Sequence, residues 1–391
     1  MIPGDPDWRA LRREQILHVA RGARTEAGFG WLLDDGSVDS ARPEQLWITA
    51  RMTYVWSLAH AQGRADALGL AEHGVRALRS DRFRDPRYGG WFDDITGTDT
   101  SKRCYGHDFV LLAAATAARA GVPGADGLLD DAATIHLTHF WDAAAGRCVE
   151  EWDRSWSALD PYRGANSNMH AVEAYLATAR ATGEAAWLDR ALSIAEHLIG
   201  DTARGHDWRV VEHFDADWSP RPDLNRDRPD DPFRPYGATP GHGLEWARLL
   251  AELNHARPTA WLLAAAEQLF ARAVDDALDD AHPLLPYTTD WDGTHLVTER
   301  FHWVMAEAVS AAETLAAATG ISRYRDLASR WWREIDDHLI DTGSGSMGGS
   351  WRHELTASLR PSTRTWHGRP DAYHAVNALT LPDRLTEGAL S

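Results

Sequence analysis

Six apolar, helix-like segments of the chain each carry a polar residue near their start, and they recur at intervals of 56 to 72 residues. Recurrence at a nearly constant spacing is typical of a repeated supersecondary unit. Six such helices with the same ends directed towards one axis would gather their polar side chains in a single pocket. In chain order these residues are Arg51, His107, His170, His242, Glu307 and His374.

Helical periodicity extends over most of the sequence and predicts twelve helices in six pairs. Short links carry glycine or proline stops, at Gly63, 121–123, Gly183 and Gly320. The long links are rich in Trp, Gly, Asp and Arg, and they span 80–104, 141–164, 200–240, 278–298 and 341–369. The predicted helices span 7–23, 43–61, 64–79, 105–120, 126–140, 166–182, 185–199, 241–256, 258–277, 299–318, 321–340 and 370–379.

Six helical hairpins can close into an inner and an outer ring, so we predict an all-α fold, an (α/α)6 barrel. The inner helices should begin at the polar residues, with the long loops and short β-hairpins at the pocket end; the segment 209–214 is one β-like piece. An open helical solenoid would show the same pairing. No linker divides the sequence, so residues 1–391 are predicted to form one domain.

Composition and charge limit the partners. The net charge of −18 argues against nucleic acid or an anionic membrane. No run reaches the ~18 apolar residues that a membrane-spanning helix needs. The first residues, MIPGDPDWRALRRE, lack the apolar core of a signal peptide. We therefore expect a cytoplasmic protein with a small-molecule substrate, either a monomer or a weak homo-oligomer.

Neither a metal nor a cofactor is expected. Cys104 and Cys148 show no metal-ligand spacing, and a disulfide between them is not expected in a protein without a signal peptide. The sequence lacks the H-E-x-x-H motif of zinc peptidases, and its H-x-x-E pairs reverse the order found in di-iron helical bundles. It also lacks a Walker A motif, a dinucleotide-binding G-x-G-x-x-G and a nucleophilic G-x-S-x-G.

Three histidines in register with the repeat are the candidate catalytic residues. His170 and His242 have Glu173 and Glu245 three positions later, on the same helix face, where a carboxylate can orient an imidazole and raise its basicity. His374 has Asn377 at that offset, which could hold the ring without making it more basic. Histidines that cap helices or line a rim, with solvent-facing glutamates, are the alternative.

Other polar residues of the repeat are candidates for substrate binding. Arg51 begins an apolar helix, where a buried guanidinium needs an anion or several oxygens. It is interpreted as a clamp for substrate oxygens or a developing enediolate, with an internal salt bridge as the alternative. Asn166, one turn before His170, could reach the pocket or cap its helix. Tyr105, His107, Trp303 and Glu307 complete the ring of candidates.

Neutral imidazoles, an arginine, carboxylates and aromatic walls suit proton abstraction next to a carbonyl. A histidine could take the C2 proton of an open-chain sugar, and return of the proton to C1 or C2 would give a ketose or an epimer. Glycoside hydrolysis is a different possibility, since it needs two opposed carboxylates, for which Asp94, Asp108 and Glu151 are conceivable. A non-catalytic sugar-binding protein is the last alternative.

The chain resembles the N-acylglucosamine 2-epimerase superfamily over nearly its whole length, most closely the aldose–ketose isomerase branch that includes mannose and sulfoquinovose isomerases. YGHDF is also similar to cellobiose 2-epimerases, so 2-epimerisation stays as an alternative. The segments that carry the resemblance are TARMTYVWSLAHA at 49–61, KRCYGHDFVLLAAA at 102–115, NSNMHAVEAYLA at 166–177, FRPYGATPGHGLEWARLL at 233–250, WVMAEA at 303–308 and GRPDAYHAVNAL at 368–379.

The resemblance implies an (α/α)6 barrel without a cofactor that interconverts D-mannose and D-fructose through a cis-enediol. It also implies roles for the three histidines. His374 would shuttle the proton between C2 and C1, His242 would assist as a second acid/base oriented by Glu245, and His170 would help to open the pyranose ring. The residues implied to hold and polarise the sugar are Arg51, Tyr105, Asn166, Arg234, Trp303 and Glu307.

Overall fold

The computed structural model describes residues 1–279 and 282–386, and twelve α-helices organise this part of the chain. The helices are α1 (Pro6–Ala20), α2 (Leu46–Ala61), α3 (Leu68–Arg79), α4 (Cys104–Arg119), α5 (Ala125–Ile135), α6 (Ala165–Thr182), α7 (Ala185–Ala195), α8 (Pro240–Ala256), α9 (Leu262–Ala277), α10 (His302–Thr319), α11 (Ser322–Glu334) and α12 (Tyr373–Thr386).

The helices form two concentric rings. The even-numbered helices form the inner ring, in which each packs against the next and α12 packs back against α2. The odd-numbered helices form the outer ring; α3, α5, α7, α9 and α11 each pack against the inner helix that precedes them, and α1 packs against α12. This closed arrangement confirms the predicted (α/α)6 barrel and excludes the open solenoid.

The two rings differ in sequence because they differ in surroundings. Inner helices are buried on almost every side, as in α4, where the run 109–115 is wholly buried. Its alanines let neighbouring helices approach closely and also favour helix formation. Outer helices bury only one stripe; in α11 that stripe is Tyr324, Ala328, Trp331 and Trp332.

The predicted helix boundaries hold to within a few residues, and Gly183 and Gly320 follow α6 and α10 with φ of 73° and 74° as predicted stops. α3 and α9 each begin four residues later than predicted, and α12 continues through Pro382 to Thr386 instead of ending at 379. The outer helices α5, α7 and α11 end in π-helical turns, at His136–Phe140, Glu196–Ala203 and Ile335–Leu339. Hydrophobic periodicity does not distinguish these turns from α-helix.

In the described part of the chain, the loops between the helices form five two-stranded antiparallel sheets. Two of these sheets are hairpins within one link, and three pair strands from successive links. In each of those three, one strand runs directly into an inner helix, α4, α6 or α10. The segment 209–214 contributes one strand, as its β-like pattern predicted. The link 278–298 includes residues 280 and 281, which lie outside the described part of the chain. The pairs are β1 (Lys102–Arg103) with β4 (Glu151–Trp152), β2 (Trp141–Asp142) with β3 (Arg147–Cys148), β5 (Arg163–Gly164) with β6 (His213–Phe214), β7 (Thr288–Thr289) with β8 (His295–Val297), and β9 (Arg300–Phe301) with β10 (Glu354–Leu355).

The six recurring polar residues lie within the first two turns of the inner helices, not at their first residue as predicted. His374 is the second residue of α12, whereas Arg51 and Glu307 are the sixth residues of α2 and α10. Helical side chains tilt towards the N-terminus, so these positions still direct their side chains to the loop end of the barrel. Across residues 1–279 and 282–386, no helix combines the length and apolarity that crossing a membrane requires.

Candidate active site

One pocket lies where the N-terminal turns of the inner helices meet the long loops. Four of the six recurring polar residues line it, and its walls are largely aromatic. The lining residues are Trp47, Arg51, Tyr105, Asn166, His170, Pro232, Phe233, Pro235, His242, Glu245, Tyr287, Phe301, His302, Trp303, His353, Trp366, Pro370, Asp371 and His374.

His374 forms a dyad with Glu307. Its Nδ1 lies 2.9 Å from Glu307 Oε1, and the other carboxylate oxygen accepts a hydrogen bond of 3.0 Å from Arg248 Nε. With Nδ1–H donating to the carboxylate, Nε2 carries the lone pair. Asn377, the partner expected from spacing, instead accepts a hydrogen bond from Tyr54 Oη at 2.6 Å, so that prediction is wrong.

The surroundings of His374 keep its imidazole neutral. Burial lowers the pKa of His374 well below its ordinary value, and the positive charge of Arg51 and the nearby ring of His302 lower it further. A neutral ring with a free Nε2 can accept a proton from a bound molecule at neutral pH.

His242 forms a second dyad, with Glu212. Its Nδ1 lies 2.8 Å from Glu212 Oε1, and the backbone carbonyl of Glu212 accepts a hydrogen bond from Ala165 N–H at the start of α6. The prediction that Glu245 orients His242 is therefore wrong. Glu212 precedes β6 in the long link, so nothing in the helical repeat pointed to it.

Trp303 lies between the two dyads. Its ring centroid is 5.2 Å from that of His242 and 5.8 Å from that of His374. An indole face of this kind offers an apolar surface to the carbon skeleton of a ligand, while the two imidazoles flank it. The predicted contact role of Trp303 is consistent with this position.

His170 contacts its predicted partner only loosely. Its Nδ1 is 3.7 Å from a carboxylate oxygen of Glu173 and 3.9 Å from one of Glu245. This Nδ1 has no hydrogen-bond partner among the described residues. The ring packs against Tyr105 and Phe109. Burial lowers the pKa of His170 to about 4, so this third imidazole is also neutral at pH 7.

A guanidinium beneath the pocket joins four glutamates. Arg248 lies 3.0 to 3.5 Å from a carboxylate oxygen of each of Glu173, Glu245, Glu252 and Glu307. Burial and the neighbouring Glu307 raise the pKa of Glu245 well above its ordinary value. Sequence reasoning missed Arg248, although it lies six residues after His242 on α8.

Arg51 forms the internal salt bridge that was the alternative interpretation, and it also lines the pocket, as the clamp interpretation requires. It forms a buried ion pair of 3.1 Å with Asp371 Oδ2 and donates a 3.0 Å hydrogen bond to Tyr105 Oη. Its guanidinium lies 4.3 Å from the ring centroid of Phe109. Burial opposes the ionisation of Asp371, yet Arg51 holds the pKa of that carboxyl below its ordinary value.

Asn166 Oδ1 is buried and has no hydrogen-bond partner among the described residues, so it is available to a ligand. Asn168, by contrast, bonds the backbone of Cys148 and Gly164 and holds the helix start. The structure therefore gives the two asparagines different roles that the sequence could not separate.

Two further histidines reach the pocket. The rings of His302 and His353 stack with centroids 3.7 Å apart, and burial lowers the pKa of His302 to about 4. His302 directly precedes Trp303 and could have been noticed from that segment. His353 comes from the link 341–369, where no periodic signal marked it.

Three residues predicted to bind substrate lie outside the pocket lining: His107, Arg234 and Glu307, the last of which contacts His374. His107 Nδ1 bonds the Arg103 carbonyl at 2.7 Å and Nε2 accepts from Trp91 N–H at 3.1 Å, so its ring nitrogens are both occupied by backbone. Arg234 lies outside the lining, with its guanidinium 3.9 Å from the ring centroid of Tyr162. His107 and Arg234 therefore lie outside the proposed ligand contacts.

The buried, neutral state of His107 has a measurable consequence. Burial lowers the pKa of His107 to about 3, whereas the unfolded chain titrates near the ordinary value of about 6.5. Below pH 6.5 the His107 imidazole binds a proton in the unfolded chain but stays neutral in the folded protein, so the unfolded state gains stability as the pH falls. Relative to His107→Gln, the parent should lose about 1.4 kcal/mol of unfolding free energy per pH unit between pH 6.5 and pH 4. Urea unfolding of both proteins across this range measures the difference; a constant difference would contradict the burial of a neutral ring.

The carboxylates considered for glycoside hydrolysis are not gathered in the pocket. Asp94 caps an exposed turn through Thr96, Glu151 pairs with Arg103, and Asp108 is fully buried beside His136. Hydrolysis by these residues is therefore excluded, because none of them lines the pocket.

Similarity to known proteins covers almost the entire chain. Residues 27–378 match the N-acylglucosamine 2-epimerase (GlcNAc 2-epimerase) family. The chain is 47% identical to D-mannose isomerase of Thermobifida fusca and 43% identical to D-mannose isomerase of Pseudomonas cannabina pv. alisalensis; the alignments cover 96% and 97% of this chain and 93% of each relative. A crystal structure of D-mannose isomerase superposes with a TM-score of 0.88 at 28% identity, over 98% of this chain and 100% of that one.

Proposed function

Because the chain belongs to the N-acylglucosamine 2-epimerase family, we propose that it is an aldose–ketose isomerase that interconverts D-mannose and D-fructose. One observation carries the proposal. Two imidazoles, His374 and His242, flank one indole face in a single pocket, and each has its Nδ1 held by a glutamate. This pairing supplies two proton carriers on a sugar-sized site.

The proposed reaction divides the proton transfers between the two dyads. His374 Nε2 removes the C2 proton of the open-chain aldose, which gives a cis-enediol, and returns a proton to C1. His242 takes a proton from the O2 hydroxyl and delivers a proton to O1, so that O2 becomes the ketose carbonyl oxygen and O1 becomes a hydroxyl. Glu307 and Glu212 stabilise the imidazolium that forms at each step and fix the ring orientation.

The other pocket residues have roles in binding and ring opening. His170, neutral and buried, relays the proton that opens the pyranose ring. Arg51 and Tyr105 polarise the sugar oxygens as negative charge develops. Asn166 contributes its free amide oxygen and Trp303 its apolar face. Glu245 lines the bottom of the pocket, where it contacts Arg248.

Charge in the pocket favours an unsubstituted sugar. Among the described residues that line it, Arg51 is the only arginine or lysine, and Asp371 neutralises it. A sulfonate or phosphate group would require additional basic side chains. This argues for a neutral hexose over sulfoquinovose.

The inner ring closes only when α12 packs against α2, so we further propose that residues 1–391 form one catalytic domain. We retain the expectation of a monomer or weak homo-oligomer, which sedimentation velocity would check.

Incubation with D-mannose in deuterated water, followed by NMR, tests the function. We expect D-fructose as the main early product, with solvent deuterium entering at C1. D-glucose as the main early product would replace isomerisation with 2-epimerisation. Sulfoquinovose and cellobiose in the same panel test the other substrates considered.

Proton transfer by imidazoles should not depend on added metal ions. Two groups of donors in the pocket lie close together, His170 with Glu173 and Glu245, and Glu245 with Glu307 and His374. Arg248 already places a positive charge beside these carboxylates. Millimolar EDTA should therefore change the initial rate by less than roughly twofold. Loss of activity that added Mg²⁺ or Mn²⁺ restores would contradict the mechanism.

A further inference from the structure

Away from the sugar pocket, four potential metal ligands meet in the protein interior. We call Cys104, Asp108, His136 and Cys148 the cysteine cluster; each is fully buried. Cys104 and Asp108 are one turn apart on α4, His136 begins the π-helical turn after α5, and Cys148 lies on β3. Because the ligands come from three separate segments, their spacing in the sequence shows no metal-binding motif.

Three of the four side chains place their ligand atoms close together, and Asp108 lies beside two of them. Ligand atoms of Cys104, His136 and Cys148 all lie within 4.8 Å of one another. Cys104 Sγ is 3.5 Å from Asp108 Oδ1 and 4.0 Å from His136 Nε2, and Nε2 is 2.6 Å from Asp108 Oδ1. Zinc–ligand bonds of about 2.0–2.3 Å in a tetrahedron place donors roughly 3.3–3.8 Å apart. To complete a tetrahedron, the three clustered ligand atoms would move slightly closer together, and the Asp108 carboxylate would turn towards Cys148.

The cluster lacks a positive charge to balance its carboxylate. No arginine or lysine of the described chain pairs with Asp108, whose only ion-pair partner there is His136. Asp108 Oδ2 is buried and has no hydrogen-bond partner among the described residues. A buried carboxylate oxygen without a donor is costly, and a cation would satisfy it.

A neighbouring side chain would hold the histidine ligand in place. Tyr175 Oη lies 3.1 Å from His136 Nδ1 and 3.3 Å from Cys148 Sγ. If Nε2 binds the metal, Nδ1–H donates to Tyr175, which is the usual arrangement around a histidine that ligates zinc. The cluster therefore has both a donor set and a supporting hydrogen bond.

We propose that Cys104, Asp108, His136 and Cys148 bind one Zn²⁺ in a structural site. On binding, the two thiols release their protons to solvent, and the proton in the hydrogen bond between His136 Nε2 and Asp108 Oδ1 also leaves. Two thiolates, one carboxylate and one neutral imidazole then coordinate the ion. The site would join the start of α4, the end of α5 and β3. It would fix the helix turn that carries Tyr105 into the sugar pocket without taking part in proton transfer.

The test uses the full chain produced in medium with Zn²⁺ or with Co²⁺, so that the metal is present during folding. Elemental analysis after gel filtration should find about one zinc per chain. The cobalt form should show thiolate-to-Co²⁺ charge-transfer absorption in the near ultraviolet and d–d bands typical of tetrahedral geometry. Only the cysteine cluster can give the charge-transfer band, because its cysteines are the two that the chain contains.

Two variants separate this site from the donor groups in the pocket. Cys148→Ser should lose the charge-transfer band and reduce the bound metal at least tenfold, whereas Glu245→Gln should keep both. If Cys148→Ser does not fold, the measurements on the parent protein still decide. Parent protein with less than a tenth of an equivalent of metal, or with no free thiols when denatured without reductant, would overturn the proposal, the latter in favour of a disulfide.

Discussion

Replacing His374 with alanine is expected to lower kcat for D-mannose by about 10³–10⁴-fold, because the base that removes the C2 proton is lost. The fold should persist, since His374 contacts the pocket and its removal leaves the α12 packing residues Val376 and Leu379 in place. Initial rates of D-fructose formation measure the effect, and circular dichroism with thermal unfolding checks the structure.

A matched control comes from the opposite end of an inner helix. His255 is exposed in the last turn of α8, and His255→Ala should leave kcat within about twofold of the parent. The variant Glu307→Gln should fall between the two, because a neutral amide still contacts His374 but stabilises its protonated form less. Activity of His374→Ala within tenfold of the parent would refute the assigned base.

Replacing His242 with alanine is expected to lower kcat by about 10²–10³-fold, since protons can no longer move between O1 and O2. Glu212→Gln should cause a smaller loss through the same ring. In a double-mutant cycle, Glu212→Gln should therefore add little to His242→Ala, which is the pattern of two residues that act as a unit.

The same cycle with Glu245→Gln provides the comparison. Glu245 lies three residues from His242 but contacts Arg248 and His170 instead, so its effect should add to that of His242→Ala. If the cycles show strong coupling of His242 to Glu245 and none to Glu212, then Glu245 orients His242, as the sequence spacing predicted, and the assignment of Glu212 is wrong.

Much of the fold could be predicted because it is encoded locally. The recurring polar residues, the alanine-rich inner segments and stops such as Gly183 and Gly320 are all visible in the sequence. The π-helical turns were missed because one extra residue in a turn hardly changes the apolar stripe. The extension of α12 beyond 379 passes through Pro382, a residue type that ordinarily ends a helix.

The candidate site was predicted in its helical part and missed in its loop part. His374, His242 and Arg51 line the pocket because their positions in the repeat direct them there. Their charged partners could not be found from spacing. Glu212 belongs to a loop, and Glu307 reaches His374 from the neighbouring helix, so packing between elements, not separation along one helix, decides which carboxylate holds each ring.

The barrel closes through contacts of α12 with α1 and α2, so the active site can form only after α12 has been synthesised. α1 is synthesised before the other eleven helices, yet its main partner is α12, so part of the buried face of α1 stays exposed until α12 has been made. The proposed base at position 374 emerges with that final helix. We therefore expect a nascent chain that lacks α12 to be inactive, because both the closed ring and the proposed base are missing, and its exposed apolar surface favours aggregation until the barrel closes.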